Sequence, residues 1–383
     1  LKKILVVGAG FSGAVIAREL ANTGEYKILV VDARGHVAGN CYTERDKETG
    51  IMEHVYGPHI FNTNNEKVWN YIQKFGEFRS YLNHVKAVTE KGLFSLPINL
   101  LTINQFFGKQ FNPREAADFI EQQGDASISN PQNFEQQALK LIGRALYENF
   151  FKGYTIKQWG CDPKELPASI LSRLPIRFNY DDNYYNSKFQ GIPVNGYTEL
   201  VQNMINHSNI EVKLNTKYTR EQNPKFDHTF YSGPLDAYFD FELGRLSYRT
   251  IFFEKNIFDG EDYQGNPVIN YCSKDIPYTR VHEHKHFTPW EKHDKSIYLK
   301  EFSKETTAGD IPYYPKRLAA DKVLLDAYRN LANNETKVTF IGRLGTYRYM
   351  DMHHVIDEAL TISEDFTKSD NATPFYKFLN TED

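Results

Sequence analysis

Sulfur residues and tryptophan are scarce in this chain of 383 residues: 3 Cys, 4 Met and 3 Trp. Cys41, Cys161 and Cys272 are odd in number and widely spaced, which excludes a disulfide scaffold and paired-cysteine metal ligation and suits a reducing cytoplasm. No apolar run approaches the roughly 20 residues that span a bilayer. The first run stops at Val7 and glycines follow at once, so neither a membrane span nor a signal peptide is expected. A net charge of −4 supplies no basic surface for nucleic acid or an anionic membrane. Repeats and low-complexity linkers are also missing. Aromatic residues abound instead, with 25 Tyr and 27 Phe; most belong to cores, so their clusters carry more than their number.

Lys3 to Val7 reads as a buried strand, Phe11 to Ala21 as a helix, and Tyr26 to Val31 as a second buried strand. This is a βαβ opening. From residue 65 to 153 the periodicity turns helical, with Val68, Trp69 and Ile72, then Phe134, Ala138, Leu139, Ile142 and Leu146. Short β-rich segments such as SYRTIFFE, NPVINYC and SIYLKEF follow and predict an antiparallel sheet. HTFYSG (228–233) and Lys337 to Ile341 read as strands returning to the first domain. The expected fold is α/β: a discontinuous Rossmann-like domain (1–64, about 190–235 and 335–366), an inserted helical domain (65–153), and an antiparallel substrate domain (about 154–189 and 236–334).

Gly8, Gly10 and Gly13 stand between a strand and a helix, and Asp32 ends the next strand 19 positions later. That context turns a weak motif into a dinucleotide cradle, with Asp32 on the ribose and the pyrophosphate at the helix N-terminus. RGHVAGN adds Arg34, Gly39 and Asn40, and a late strand–GR turn leads to a helix capped by Asp351. Two helix N-termini suit an extended FAD, and no second glycine motif supplies an NAD(P)H domain.

FFKGYTIKQWG (150–160) packs Phe150, Phe151, Tyr154 and Trp159 around Thr155, Lys157 and Gln158, a stacking surface for a base or sugar. Arg173, Arg177, Tyr184 and Tyr185, then Arg280, Tyr313, Tyr314, Arg343 and Tyr349, repeat the Arg/Tyr pairing that suits a diphosphate. HEHKHF (282–287) alternates three histidines, as a solvated or hydrogen-bonded strand face would, and no metal is expected there. His59, in a Gly-Pro turn, is a candidate neighbour of a cofactor ring. The residues alone reach an FAD protein with a nucleotide-diphosphate ligand; an FAD oxidoreductase of amine-oxidase-like fold and a non-catalytic binding protein remain alternatives.

VVGAGFSGAVIA, HVYGPHIFNT, FFKGYTIKQWG, RLPIRFNYDDNYY and GRLGTYRYMDMH together resemble the bacterial UDP-galactopyranose mutases over residues 3–366. The resemblance implies an isomerase that interconverts UDP-galactopyranose and UDP-galactofuranose with no net redox, for cell-surface polysaccharide. N5 of reduced FAD would attack the anomeric carbon, with UDP as leaving group. It implies Arg173 and Arg280 on the diphosphate, with Tyr184, Tyr314, Tyr349 and Asn83 beside them. Gln105, Phe150, Tyr154 and Thr155 would hold uridine, and Trp159 would stand between sugar and a mobile loop at 167–177. His59 would lie against the flavin. Tyr185, Arg249 and Asn270 complete the expected substrate set. Gly8, Gly10, Phe11, Ser12, Gly13, Asp32, Arg34, Gly39, Asn40, Ile60, Arg343, Asp351 and Met352 form the expected cofactor set. A homodimer and an outside reductant such as NAD(P)H are further implied. Ala38 departs from the family's GGN, and Tyr185 stands where Phe is usual.

Overall fold

A computed structural model describes residues 1–173, 176–318 and 321–369, without the side chains of 172 and 173. Five parallel strands form the first sheet, in the order Ile210–Lys213, Tyr26–Val31, Lys2–Val7, His228–Tyr231 and Val338–Phe340. Ile4, Val6, Ile28, Val30 and Phe230 are almost fully buried, as expected where helices cover the faces of a parallel sheet. Three helices, Phe11–Asn22, Gly196–Ile205 and Met352–Lys368, share one core through Val15, Leu200 and Ile356. Late strands therefore join early ones, and the nucleotide domain is assembled from distant parts of the chain.

The second sheet has seven strands: Tyr314–Pro315, Tyr248–Phe258, Ser296–Glu305, Arg280–Glu283, Val268–Tyr271, Val85–Thr89 and Gly92–Leu96. All neighbours run antiparallel except Val268–Tyr271 with Val85–Thr89. This corrects the helical assignment of 65–153. Val85–Thr89 alternates buried and half-buried positions, pairs with Gly92–Leu96, and extends the sheet. Helix Glu66–Ile72 sends Val68 and Ile72 into the nucleotide-domain core instead. The helical unit begins with Leu100–Phe107 and packs Phe106, Leu146 and Phe150 on Ala87 and Phe94 of that hairpin.

Phe134–Leu146 is broken at Gly143, where φ is 73° and an added Cβ would lie 2.2 Å from the Gln123 carbonyl oxygen. A wide π turn (Tyr147–Lys152) follows, then the short helix Gly153–Trp159. Such turns re-aim a helix. Here the break lets the 153–159 segment leave the helical unit and meet the second sheet. HEHKHF is not one strand: Arg280–Glu283 is extended, and His284–Phe287 is a 3-10 turn. Among the described residues no helix is long and apolar enough to cross a membrane.

Buried His54 and His228 and half-buried His59 make stability depend on pH. Burial, the largest cause in each, lowers His54 to about 3 and His59 and His228 to about 4, against an ordinary 6.5. The unfolded chain binds protons at these positions from pH 6.5 downward while the folded chain does not. Stability thus rises with pH across about 4 to 6.5, by about 1.4 kcal/mol per pH unit for each histidine. Calorimetry should show the melting temperature falling steeply as pH drops through that window. His228→Gln, at a ring bonded to Thr339 Oγ1 (2.8 Å), should flatten the slope by about one proton; an unchanged slope would contradict the assignment.

Candidate active site

The glycine loop is shaped by contacts that no side chain could share. A Cβ on Gly13 would lie 1.9 Å from the Gly8 carbonyl oxygen, and one on Gly8 (φ 104°) 2.1 Å from Ser232 Oγ. Gly342 faces Ser12 Oγ in the same way, at 2.4 Å. Gly10 caps the first helix without a side-chain bond, leaving the N–H groups of its first turn open to an anion. Asp32 accepts from Ala9 N–H (2.8 Å) and Arg34 N–H (2.9 Å), and so ties the loop after the second strand to the glycine turn. Arg34 donates Nη2–H to Asn40 Oδ1 (2.9 Å), while its buried Nη1 has no partner. Gly39 approaches Gly10, and Ala38 holds φ 70° beside it. An open helix end, an unpaired guanidinium nitrogen and glycines closing on one another fit the pyrophosphate of FAD.

Arg343 reaches across from the last strand's turn. Its Nε and Nη2 donate to the Met350 carbonyl (3.1 and 2.6 Å), and its guanidinium lies over Tyr314 and Tyr349, 5.1 and 5.3 Å from their centroids. Those two rings stack on each other, 5.6 Å apart. Tyr313 turns the other way, toward Tyr56 on the cofactor loops. Asp351 caps helix Met352–Lys368, with Met352 its first residue.

Arg280 anchors the polar cluster. Tyr154, Tyr184, Tyr185, Tyr314 and His59 all lie close enough to feel its charge. Arg280 Nε donates to Glu301 Oε2 (2.8 Å), His282 Nε2 bonds the same oxygen (2.8 Å), and Thr279 Oγ1 donates to Oε1 (3.2 Å). Burial works against the Glu301 charge, yet the Arg280 guanidinium and the His282 bond hold its carboxyl at about 2. Burial likewise keeps His282 neutral. It pushes Tyr314 up to about 12 and raises Tyr154, Tyr184 and Tyr185, so these phenols remain neutral donors at pH 7. Asn83, whose carbonyl accepts from Tyr184 N–H (2.8 Å), and Asn270, opposite Arg280 in the sheet, each bury an unpartnered Oδ1. His59 Nδ1 meets the Gly57 carbonyl at 2.8 Å and must carry its proton there, which leaves Nε2 bare. Ile60 is buried next to it.

Several expected residues have other work. Arg249 is 3% exposed and its guanidinium is engaged within the chain: Nε donates to Gln158 O (3.0 Å) and Ser303 Oγ (3.1 Å), Nη2 to Lys157 O (3.2 Å), and Nη1 to Glu305 (2.9 Å). Its charge caps the C-terminus of helix Gly153–Trp159. Arg177 is buried and donates to Asp181 O (3.3 Å), Asn183 O and Asn186 Oδ1, stapling the loop that presents Tyr184 and Tyr185. Phe150, 4% exposed, packs between Phe94 and Phe106, each 5.4 Å away, and backs the 153–159 helix rather than lining open space. Thr155 is buried and Trp159 half-buried on that helix. Gln105 lines a cleft of about 330 Å³ with Leu101, Asn104, Phe111 and Tyr180. In the 167–177 segment, Ala168–Arg173 forms a 3-10 turn; residues 174–175 and the Arg173 side chain lie outside the described residues.

Glu301 and His282 were not singled out as a pair by sequence reasoning. The signal for Glu301 was a carboxylate at a buried phase of an alternating strand, SIYLKEF.

A profile of the UDP-galactopyranose mutase family matches residues 149–349, and one of NAD(P)-binding Rossmann-like domains matches 6–75. The chain is 55% identical to a probable UDP-galactopyranose mutase of Klebsiella pneumoniae, covering 96% of this chain and 95% of that one. It is 51% identical to a dTDP-fucopyranose mutase of Escherichia coli, covering 96% and 99%. A solved structure of reduced UDP-galactopyranose mutase, 13% identical, superposes with a TM-score of 0.73 over 99% of this chain and 98% of that one, a likeness of fold.

Proposed function

Because the chain belongs to the UDP-galactopyranose mutase family, we propose that it is an FAD-dependent isomerase of nucleotide sugars, interconverting UDP-galactopyranose and UDP-galactofuranose. The observation that carries this reading at the site is Arg280, backed by buried Glu301 and ringed by neutral phenols. FAD, when bound and reduced, supplies the nucleophile for the anomeric carbon, so the chain itself needs none.

The protein's part is binding, orientation and charge. Arg280, with Arg173 from the 167–177 segment, would hold the diphosphate and stabilise UDP as it leaves. Tyr184, Tyr314 and Tyr349 would add neutral donors that leave the anion's charge to the arginines, and Asn83 and Asn270 offer further amide contacts. Tyr154 would flank the nucleoside, and Trp159 would stand between the sugar and the 167–177 segment. His59, lowered to about 4 by burial with Arg343 and Arg280 nearby, stays neutral and presents Nε2 as an acceptor between cofactor and substrate. Gly8, Gly10, Gly13, Arg34 and Arg343 would carry FAD. A cytoplasmic homodimer that takes electrons from a reductant such as NAD(P)H completes the proposal; the three cysteines, unpaired in the fold, suit that compartment.

The 51% identity to a dTDP-fucopyranose mutase supports a second reading of the sugar. The two substrates differ at C6 of the hexose and in the nucleoside. Dithionite-reduced protein incubated with UDP-galactopyranose, UDP-N-acetylgalactosamine or dTDP-fucopyranose, with products resolved by chromatography, decides between them. A furanose from the UDP-galactose arm without consumption of reductant supports the first reading. Furanose from the dTDP-fucose arm alone transfers the assignment, and stoichiometric oxidation of a substrate would return the chain to the flavin oxidases.

A further inference from the structure

Lys157 sits in the middle of the segment that carries Tyr154, Thr155 and Trp159, yet its side chain points to a different element. Its Nζ donates to three backbone oxygens: Tyr271 (2.7 Å), Ile276 (3.0 Å) and Tyr278 (2.8 Å). The first ends strand Val268–Tyr271, and the other two lie in the turn that joins it to strand Arg280–Glu283. An ammonium has three N–H donors, and these three carbonyls take all of them. One helical turn earlier, Gly153 lies against the same connection: an added Cβ would come 2.3 Å from the Cys272 carbonyl oxygen and 3.0 Å from Lys274 N.

The helix is therefore seated on the hairpin at two points four residues apart, one by steric fit and one by charge. Its far end is fixed by Arg249 on the carbonyls of Lys157 and Gln158. The turn in Lys157's grip ends two residues before Arg280, whose guanidinium Glu301 then aims. Burial draws the pKa of the ammonium down to about 8, with the Cys272 thiol nearby working the other way, and the cation still prevails at neutral pH.

We propose that Lys157 is a positioning residue for Arg280: by gathering three carbonyls of the 271–278 turn, it locks the strand that begins at Arg280 to the helix that presents Tyr154 and Trp159. The diphosphate cation and the nucleoside wall are then offered at one fixed spacing, and a nucleoside diphosphate engages both at once. The inference rests on the proposed function only in naming UDP as the ligand. It differs from a general contribution to stability because its effect must pass through Arg280.

The test uses the FAD-loaded full chain with Lys157→Met and Lys157→Arg, each alone and combined with Arg280→Ala. UDP affinity is measured by titration of the oxidised protein, alongside FAD content and the kcat and KM for UDP-galactopyranose of the reduced protein. Lys157→Met should weaken UDP binding about tenfold with FAD content unchanged. Lys157→Arg should recover most of that loss. In the Arg280→Ala background, Lys157→Met should cost less than a further twofold, because the residue it acts through is gone. Parental UDP affinity in Lys157→Met, or the same tenfold loss in both backgrounds, would overturn the inference. If Lys157→Met fails to hold FAD, Lys157→Gln, which keeps two N–H donors, carries the same two-background comparison. Failure of the functional reading looks different: a parent protein that binds UDP and converts no sugar.

Discussion

Arg280→Ala is expected to lower turnover of UDP-galactopyranose by about 10²–10³-fold while FAD stays bound, the scale of losing one oriented group that stabilises developing anionic charge. The guanidinium is poised for that role before substrate arrives. Glu301 takes Nε, which leaves the two terminal nitrogens to serve a diphosphate, and the surrounding phenols are too weakly acidic to compete as anions. Truncation also leaves Glu301 without its cation. A buried pair broken on one side typically costs about 3–5 kcal/mol, so stability must be measured beside activity. The Arg280→Ala/Glu301→Gln pair separates the two effects: the second change removes the orphaned charge and should recover stability but not turnover. Arg280→Lys keeps the charge and loses the planar fork, and should fall between wild type and alanine. Near-normal turnover in Arg280→Ala would remove this residue from the diphosphate site.

The Glu301 carboxyl also sets an acid boundary. Its folded-state pKa of about 2 lies below the ordinary 4.5, so its stabilising contribution is complete above about pH 4.5 and is lost as pH falls toward 2. The buried histidines lose stability in the same direction at higher pH, from 6.5 down to about 4. Acid unfolding should therefore come in the histidine window first, with the loss of the Glu301 contribution added at lower pH.

What could be read in the chain beforehand followed how local each signal was. VVGAGFSG and Asp32 declare a strand, a turn and a helix within 32 residues, and the fold places them so. HTFYSG is legible as a returning strand by its β-branched and aromatic residues, and the fold buries all four residues of His228–Tyr231, as befits a central parallel strand. Val85–Thr89 was missed: its alternation spans only five residues and lies between helical patterns on both sides. Arginines were the hardest. Arg177, Arg249 and Arg280 look alike in sequence, but Arg177 and Arg249 engage several acceptors of their own chain, while Arg280 gives Glu301 its Nε. Which anion or dipole an arginine meets depends on contacts from residues far away in the sequence, such as Ser303 and Glu305 for Arg249. Lys157 was read as part of a ligand-facing motif for the same reason, since its three acceptors lie more than a hundred residues away.

Gly10→Ala should yield protein that folds and melts as the parental apoprotein does, yet retains little or no FAD. The glycine loop contains two kinds of glycine, and this substitution tells them apart. At Gly13 an added methyl meets the Gly8 carbonyl at 1.9 Å and Val6 Cγ1 at 2.9 Å, so the protein itself forbids a side chain there. Gly13→Ala is expected to damage the fold and the cofactor site together. At Gly10 the backbone is extended, with φ −83° and ψ −173°, which any residue adopts, and the nearest atom to an added Cβ is Gly39 Cα at 3.8 Å. Nothing in the protein accounts for a glycine at that position. Its neighbourhood does: the uncapped helix end beside it and the unpartnered Arg34 Nη1 both await an anion. A methyl group at Gly10 would stand where the pyrophosphate must approach the backbone. Absorbance of the purified variant at the flavin bands, compared with its unfolding curve, reads both quantities at once. Full FAD occupancy in Gly10→Ala would mean that the dinucleotide passes the loop elsewhere. Loss of FAD with an unchanged apoprotein melting curve would place the pyrophosphate at Gly10 by the one substitution the protein has room to accept.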